Sequence, residues 1–409
     1  ATVVLKDKKT GKELTVTSND VGGFTFNNLD YGEYEVKVTS NGFKTAVTSV
    51  IIQVAQEYSL PIDLEIGNLS ETVTVTAGAE LINSTNAEIN STISNRQITE
   101  LPLATRNPLA LILTQAGSSS NPSQNTSING GRTSSTNVTR DGVNIQDNFI
   151  RSNATDFSPG RPSVDNVEEF TLSSQSAVDS GFGSAQVTLV TPRGGNEFHG
   201  GAWEYNRNSI VGANSFFSNA GGNYAPTDSV VIAGFRKAGE EKNPRPFRNR
   251  NQYGVKVSGP IWKDRVFFFA YAERLKDIVN GSRLITVLTP TARQGIFRYT
   301  SGGNTYSANI FCPGCFTTGP SGVAPPTTVN AFTTSNVLAN MPQGNSFETG
   351  DGLNTTGYRF FQKANTDRDS LTGRLDYDIN SQNNVNFVID YNFEKNLRND
   401  VDTLSVTPV

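Results

Sequence analysis

Apolar and polar residues alternate with period two along most of this chain, so short β-strands are its expected unit. In residues 1–66 the alternating sets are Val3 and Leu5, Leu14 and Val16, Phe24 and Phe26, and Tyr34, Val36 and Val38. Val50, Ile52 and Val54 follow, then Leu60, Ile62, Leu64 and Ile66. Polar, glycine-bearing turns at Gly11, Asn19–Gly23, Tyr31-Gly32 and Asn41-Gly42 separate them. About seven short strands in so few residues predict a small β-sandwich.

Residues 85–195 mix the two periods. Pro108 fits the first position of a short helix, Leu109–Leu113. Asn137–Asn144 reads as a strand with an Asp141-Gly142 turn. Val167–Leu172 is another strand, and Gly181–Thr191 is a glycine turn into a third, closed by Pro192-Arg193-Gly194-Gly195. An α+β unit is expected here.

Residues 196–409 return to long alternating strands. The first ends in Trp203-Glu204-Tyr205, and about 45 loop residues follow. The second, 251–261, sets Tyr253, Val255 and Val257 against Gly254, Lys256 and Ser258. The third, 266–274, carries Phe267, Phe269 and Tyr271 on one face. A very long loop is expected over about 276–366. The fourth sets Leu371, Leu375, Tyr377 and Ile379 against Thr372, Arg374, Asp376 and Asp378, and the fifth sets Val385, Phe387, Ile389 and Tyr391 against Asn386, Asp390 and Asn392. Short turns at Lys263–Arg265 and Asn380–Asn384 alternate with the long loops. That asymmetry marks a membrane-spanning antiparallel barrel. A soluble sheet with one wet face shares the alternation but seldom carries a loop of about 90 residues. The expected lipid face holds Phe267, Phe269, Leu375, Tyr377, Phe387 and Ile389, and the lumen face Arg374, Asp376, Asn386 and Asp390.

Composition narrows the classes. Apolar residues make up 35% of the 409, with no run near the 18 or so that a membrane-spanning helix needs. The net charge of −4 gives no electrostatic support for nucleic-acid binding. The chain opens on Ala-Thr-Val-Val-Leu, so any signal peptide is expected to have been removed or to lie upstream. The only cysteines, Cys312 and Cys315, stand in a Gly/Pro/Thr-rich stretch. A local loop disulfide fits an oxidising surface, and a redox or metal role is the alternative. Closing so short a loop stabilises by only about 2 kcal/mol. Two thiolates do not fill a zinc site, and the only histidine, His199, is distant in sequence. There is no Gly-x-Ser-x-Gly elbow, no His-x-x-Glu and no P-loop, so no catalytic residue, metal or cofactor is expected and the chain reads as a non-enzyme.

Three ordered resemblances join these readings. Asp20-x-Gly22-x-Phe24-x-Phe26, Leu29, Gly32-x-Tyr34-x-Val36-x-Val38 and Gly42-Phe43 resemble the carboxypeptidase regulatory-like, transthyretin-like domain. The Arg132 segment, the Asp141-Gly142-Val143 turn, Val167–Phe170 and Gly181–Thr191 with Arg193-Gly194-Gly195 resemble the plug of TonB-dependent outer-membrane receptors. Leu101-Pro102-Leu103, Arg106-Asn107, Asn196–Gly200, Arg248–Gly254 and Ser258-Gly259-Pro260 are similar to phrases of their Oar-like group. The resemblance implies a mainly β chain: a transthyretin-like sandwich over 1–66, a linker over 67–84, an α+β plug domain over 85–195, and the first strands of a transmembrane antiparallel β-barrel, left incomplete, over 196–409. Several hundred residues are expected beyond Val409, since five strands do not close a plugged barrel.

The same resemblance places a TonB box at Glu71, Thr72, Val73, Thr74, Val75, Thr76 and Ala77. Thr and Val favour extended backbone and no proline interrupts the donors, as strand addition requires. The last strand of the sandwich, or an ordinary linker, is the alternative. Implied partners are a TonB-type periplasmic coupling protein, outer-membrane lipid, and an extracellular small-molecule, glycan or peptide ligand. The sandwich would lie in the periplasm of a Gram-negative cell. Candidate ligand contacts are Arg132, Arg140, Asn144, Arg151, Phe216, Phe217 and Tyr224, though Arg132 and Arg140 equally suit pairing with wall carboxylates. The implied function is energised import across the outer membrane, and the Oar-like group's role in adhesion or surface organisation is the alternative.

Overall fold

The computed structural model describes residues 1–54, 57–68, 72–74, 89–101, 103, 106–120, 126–132, 135–146, 161–175, 185–232, 234, 236–311, 330–380 and 383–397. The first sheet holds β1 (Thr2–Asp7), β2 (Glu13–Thr17), β3 (Gly32–Thr39), β4 (Thr45–Ile52) and β5 (Thr72–Thr74) in the order β2-β1-β3-β4-β5. Its register sets Val3 opposite Val16 and Val38, and Leu5 opposite Leu14 and Val36. These side chains therefore share one face, and Val3, Leu5, Tyr34, Val36, Val38, Ala46 and Val50 are buried there. Phe24, Phe26, Leu29, Leu60, Ile62 and Leu64 pack over them as the second layer. The second layer departs from the expected strands. Residues 24–29 and 60–64 are extended cover without a ladder, and only the Phe43–Ile66 bridge is formed beside them. Apolar alternation there records which side chains meet the sheet, not which backbone pairs.

The second sheet holds β6 (Ile89–Ser94), β9 (Thr136–Arg140), β10 (Val143–Asn144), β11 (Glu169–Gln175) and β12 (Ala185–Val190) in the order β10-β9-β12-β11-β6. Between β6 and β9, β7 (Ser118–Ser120) pairs with β8 (Thr126–Ile128). Asp141 and Gly142 take φ of 48° and 81°, the paired left-handed values that a two-residue hairpin turn demands. Helix α1 (Asn95–Glu100) starts where Gln97 Oε1 accepts the Ser94 N–H at 3.0 Å. Pro108 opens a turn of tighter 3-10 helix, Pro108–Thr114, with Asn107 Oδ1 accepting the Leu109 N–H. Ile98, Leu109, Leu111 and Ile112 from these pieces close over Val138, Phe170, Leu172, Val187 and Leu189 of the sheet.

The third sheet holds β13 (His199–Asn208), β14 (Arg248–Trp262), β15 (Val266–Leu288), β18 (Thr355–Lys363), β19 (Thr366–Asp378) and β20 (Asn384–Asn396). Its order is β13-β14-β15-β19-β20, with β18 also on β15. Within the expected loop over 276–366, the described residues 276–311 and 330–366 are largely structured. β15 runs on to Leu288, β16 (Ile296–Ser301) and β17 (Asn304–Asn309) form a hairpin, and β18 pairs back along Asn280–Leu288. Their period-two signal is short, only Phe297 and Tyr299 in β16 and Tyr358 and Phe360 in β18, each pair stacked on one face among polar residues.

By Cα packing the chain parts into two units. One is Ala1–Glu204 with Tyr253–Arg274 and Asp369–Phe393, and the other is Tyr205–Gln252 with Leu275–Arg368 and Glu394–Val409.

Candidate functional site

The wall strands of the first unit have two chemically distinct faces. On one, Tyr253, Val255, Val257 and Ile261 of β14 are 43–65% exposed. Leu371, Leu375 and Tyr377 of β19 and Val385, Phe387, Ile389, Tyr391 and Phe393 of β20 continue this face and are also exposed. Strand geometry puts roughly 26 Å between Val385 and Phe393, which at a barrel tilt of about 40° is about 20 Å of height and fits inside the apolar band of about 25 Å that outer-membrane barrels present to lipid. Tyrosines stand at both ends, Tyr377 below and Tyr253 and Tyr391 above. On the same face Phe198 lies over Gly259, where a Cβ would meet its ring at 2.4 Å. Only glycine leaves room for that aromatic cover.

The opposite face meets the second sheet through polar pairs. Arg140 of β9 is 4% exposed and approaches Asp390 at 3.2 Å. Asp165 accepts from Lys256 at 3.1 Å and from Arg106 at 2.6 Å. Ser163 donates to Glu273 at 3.2 Å, and Asn166 Nδ2 donates to Thr372 Oγ1 at 3.2 Å. Trp203 stacks on Tyr271 at 5.8 Å and donates its indole N–H to Glu273. Arg374, Asp376 and Asp390 lie on this inner face, as expected from alternation.

One part of the expected register is corrected. Phe267 and Phe269 are 1% and 4% exposed and share a face with Tyr271 and Glu273, so they point inward. Phe268, Ala270 and Ala272 take the outward positions of β15. The parity of Val266–Tyr271 is ambiguous because all six successive residues are apolar or aromatic. Packing decided it: the second sheet covers the inner face at this strand and accepts aromatic side chains there.

The first residue after β12, Thr191, is a junction. It is fully buried. Its N–H and Oγ1 donate to the two carboxylate oxygens of Asp141, at 2.9 and 2.5 Å. Arg140 Nε donates to its Oγ1 at 3.0 Å. Its carbonyl accepts from Tyr31 of the first sheet's loop at 3.0 Å and from Arg374 of β19 at 2.9 Å. Two residues on, Arg193 is 5% exposed, paired with Asp7 and with Asp30 at 3.1 Å, and set over the Tyr31 ring at 5.6 Å. Burial draws the Arg193 pKa down, and Asp7 and Asp30 more than restore it, so the guanidinium stays charged. Sequence patterning did not single out Thr191, Asp7, Asp30 or Asp165. Arg193 was singled out only as part of a closing phrase.

The expected ligand residues are not gathered into one site. The contacts of Arg140 are those of a wall-pairing residue, with its guanidinium engaged by Thr191, Asn166 and Asp390. Asn144 Nδ2 donates to Asn137 Oδ1 at 2.6 Å in an amide chain that continues to Gln186. Arg132 is exposed beside a turn. In the second unit, Phe216 and Phe217 stand 79% and 83% exposed on α2 (Phe216–Ala220), while Tyr224 lies under Lys242 at 5.6 Å. Arg151, Cys312 and Cys315 lie outside the described residues. Of the expected box, Thr72–Thr74 forms β5, parallel to β4 with Val73 opposite Ala46. Glu71 and Val75–Ala77 lie outside the described residues. His199 is exposed at the start of β13, 4.0 Å from Glu197. Among the described residues no group of three or more His, Cys, Asp or Glu is placed to hold a metal ion.

A two-faced wall, apolar outward and pairing inward with a second sheet, is the architecture of a protein that lives in a bilayer. The model of the outer membrane beta barrel domain matches residues 190–407, more than half of the chain. The chain belongs to the outer membrane β-barrel family. Its N-terminal sheet, residues 1–65, matches the carboxypeptidase regulatory-like domain. No curated protein matches the sequence. Among solved structures the chain is similar to the ferric enterobactin receptor of Pseudomonas aeruginosa, at 12% identity and TM-score 0.37, covering 76% of this chain and 34% of that one. It is also similar to the siderophore receptor PirA of the same organism, at 14% identity and TM-score 0.33, with 75% and 40% covered. A third is the alcaligin outer membrane receptor FauA of Bordetella pertussis, at 13% and 0.28, with 78% and 49% covered. The chain thus spans about a third to a half of the length of these structures.

Proposed function

We propose that this chain is the N-terminal part of a TonB-dependent outer-membrane receptor that imports a scarce nutrient. The observation that carries the reading is the second sheet held on the inner face of the wall by ion pairs and hydrogen bonds. A separate sheet seated there is a plug, and residues 85–195 supply it. A hydrogen-bonded plug has two conditions to meet. It must stay in place at rest, which the Arg140–Asp390 and Lys256–Asp165 pairs support. It must also rearrange when ligand and an external pull bias it, as a two-state element does. The pull enters at residues 71–77, which pair as an added strand with the periplasmic coupling protein. The ligand class is a small molecule, glycan or peptide bound from the side of the long loops, and the sandwich faces the periplasm.

Proline removes a backbone donor and forbids strand pairing. The Val73→Pro/Val75→Pro variant is expected to lose energy-dependent uptake and to keep ligand binding, measured as cell-associated and internalised radiolabelled ligand in the same assay. Uptake equal to wild type would sink the assignment of the box. An adhesion protein needs no energy input, so the same variant leaving cell attachment unchanged while no ligand accumulates in wild-type cells would favour the adhesion reading.

A further inference from the structure

We propose that the N-terminal sandwich is clamped to the short-turn end of the wall by a three-part latch centred on Arg193, and so is a docked part of the protein and not a swinging module. The latch joins three elements with no role in the import reading above. Asp7 ends β1, and its Oδ1 accepts the N–H groups of Lys9 and Thr10, which shapes the turn into β2. Its other oxygen takes Arg193. Asp30, from the opposite loop of the sandwich, closes the other side of the guanidinium at 3.1 Å. Arg193 therefore sits in a pincer whose two jaws are both sandwich residues, while its backbone belongs to the segment between β12 and β13.

Asn196 is the second part. Its N–H donates to Lys9 O at 3.0 Å and its Nδ2 to Thr10 O at 2.7 Å. The same side chain bonds Asp264, in the short β14–β15 turn, from both ends: Nδ2 to Oδ1 at 2.7 Å, and Oδ1 from the N–H at 2.8 Å. The third part reaches the other short turn. Lys12 pairs with Asp378 at 2.8 Å, with both side chains at most 20% exposed, and Asn384 donates to Asp30 at 3.3 Å.

The backbone between these contacts has no slack. A Cβ on Gly194 would lie 2.6 Å from Phe268 O and 2.8 Å from Gly259 O, and one on Gly195 would lie 2.9 Å from Lys9 O. The exit of the second sheet is thus gripped between the sandwich turn and strands β14 and β15. Buried ion pairs hold position more than they add net stability, because desolvation offsets most of their attraction. Their use here is to choose one orientation. In the receptor reading, β1–β4 of the sandwich and the Thr191 exit are then fixed points, and the edge strands β5, within the pulled segment, and β6, which follows it, are the parts free to peel.

The test is a distance distribution between spin labels at Val21→Cys on the sandwich and Lys263→Cys on the short turn. It is measured by double electron–electron resonance on the protein in outer-membrane vesicles, with Cys312 and Cys315 changed to Ser. One narrow distance is expected, and Arg193→Met with Asp378→Asn is expected to abolish it in favour of a broad distribution. Should that variant fail to fold, Lys12→Asp is expected to broaden the peak and Lys12→Asp/Asp378→Lys to restore it. A broad distribution without any latch substitution overturns docking. A narrow one that survives both the Arg193 and the Lys12 variants overturns the latch.

Discussion

At the scale of single residues, the charges that matter are the ones removed from water. Glu169 of β11 is 8% exposed and takes the Val54 N–H at 2.5 Å. Burial raises its pKa to about 7, against the lowering effect of that hydrogen bond. The folded protein therefore binds a proton below about pH 7 that the unfolded chain binds only near 4.5. Linkage then gives the sign: this group's contribution is full below the unfolded pKa and is lost as pH rises through the folded one. Stability is expected to fall by about 3 kcal/mol between those limits on this account. Glu169→Gln is expected to flatten that part of the profile in chemical denaturation at stepped pH, and an unchanged slope would refute the assignment. Arg140 works the other way, as a charge held by partners. Arg140→Met leaves Asp390 facing an apolar neighbour and is expected to cost about 3 kcal/mol. Asp390→Asn, which retains an acceptor for Thr372, is expected to cost about 1 kcal/mol in the same measurement.

At the scale of elements, the period-two rule fixes a strand's faces only after one face has been assigned to lipid. For β19 and β20 the assignment is unambiguous, since one face carries Leu371, Leu375 and Tyr377 and the run Val385–Phe393 of alternate apolar residues, and the other carries Arg374, Asp376 and Asp390. Ile389 lies near the middle of the Val385–Phe393 band, so Ile389→Arg is expected to cost about 2–4 kcal/mol. Its inward neighbour Asn386→Arg is expected to cost about 0.5 kcal/mol or less, as a polar lumen position. Urea unfolding in lipid vesicles distinguishes the two, and equal costs would contradict the faces. In β15 the apolar run Val266–Tyr271 hides the parity, and the true inward set, Phe267, Phe269 and Tyr271, became visible only beside Ser163 and Trp203. β18 was missed for the opposite reason, since its aromatic face is only Tyr358 and Phe360 between Thr356 and Gln362.

At the scale of the whole molecule, the sandwich, second sheet and wall strands of the first unit meet at Thr191 and Arg193. Calorimetry is expected to show the sandwich melting together with the second sheet in the wild type. Arg193→Met is expected to split off a separate, lower transition. A sandwich transition already separate in the wild type would count against the shared junction. Local alternation, turn residues and motif order were enough to determine a β-rich chain, its N-terminal carboxypeptidase regulatory-like domain, its barrel-type wall strands, and the outward faces of β14, β19 and β20. Those are local properties, since alternation is set by strand geometry and the hydrophobic effect acts on each face separately. Tertiary structure alone decided the parity of β15, the pairing of β18 along β15, and the pairing of Arg140 with Asp390. It also decided the convergence of Asp7, Asp30, Arg193 and Thr191. The pairs Arg140–Asp390, Asp7–Arg193 and Asp30–Arg193 join residues more than a hundred positions apart, and the attraction between two buried charges leaves no periodic mark on the sequence around either one.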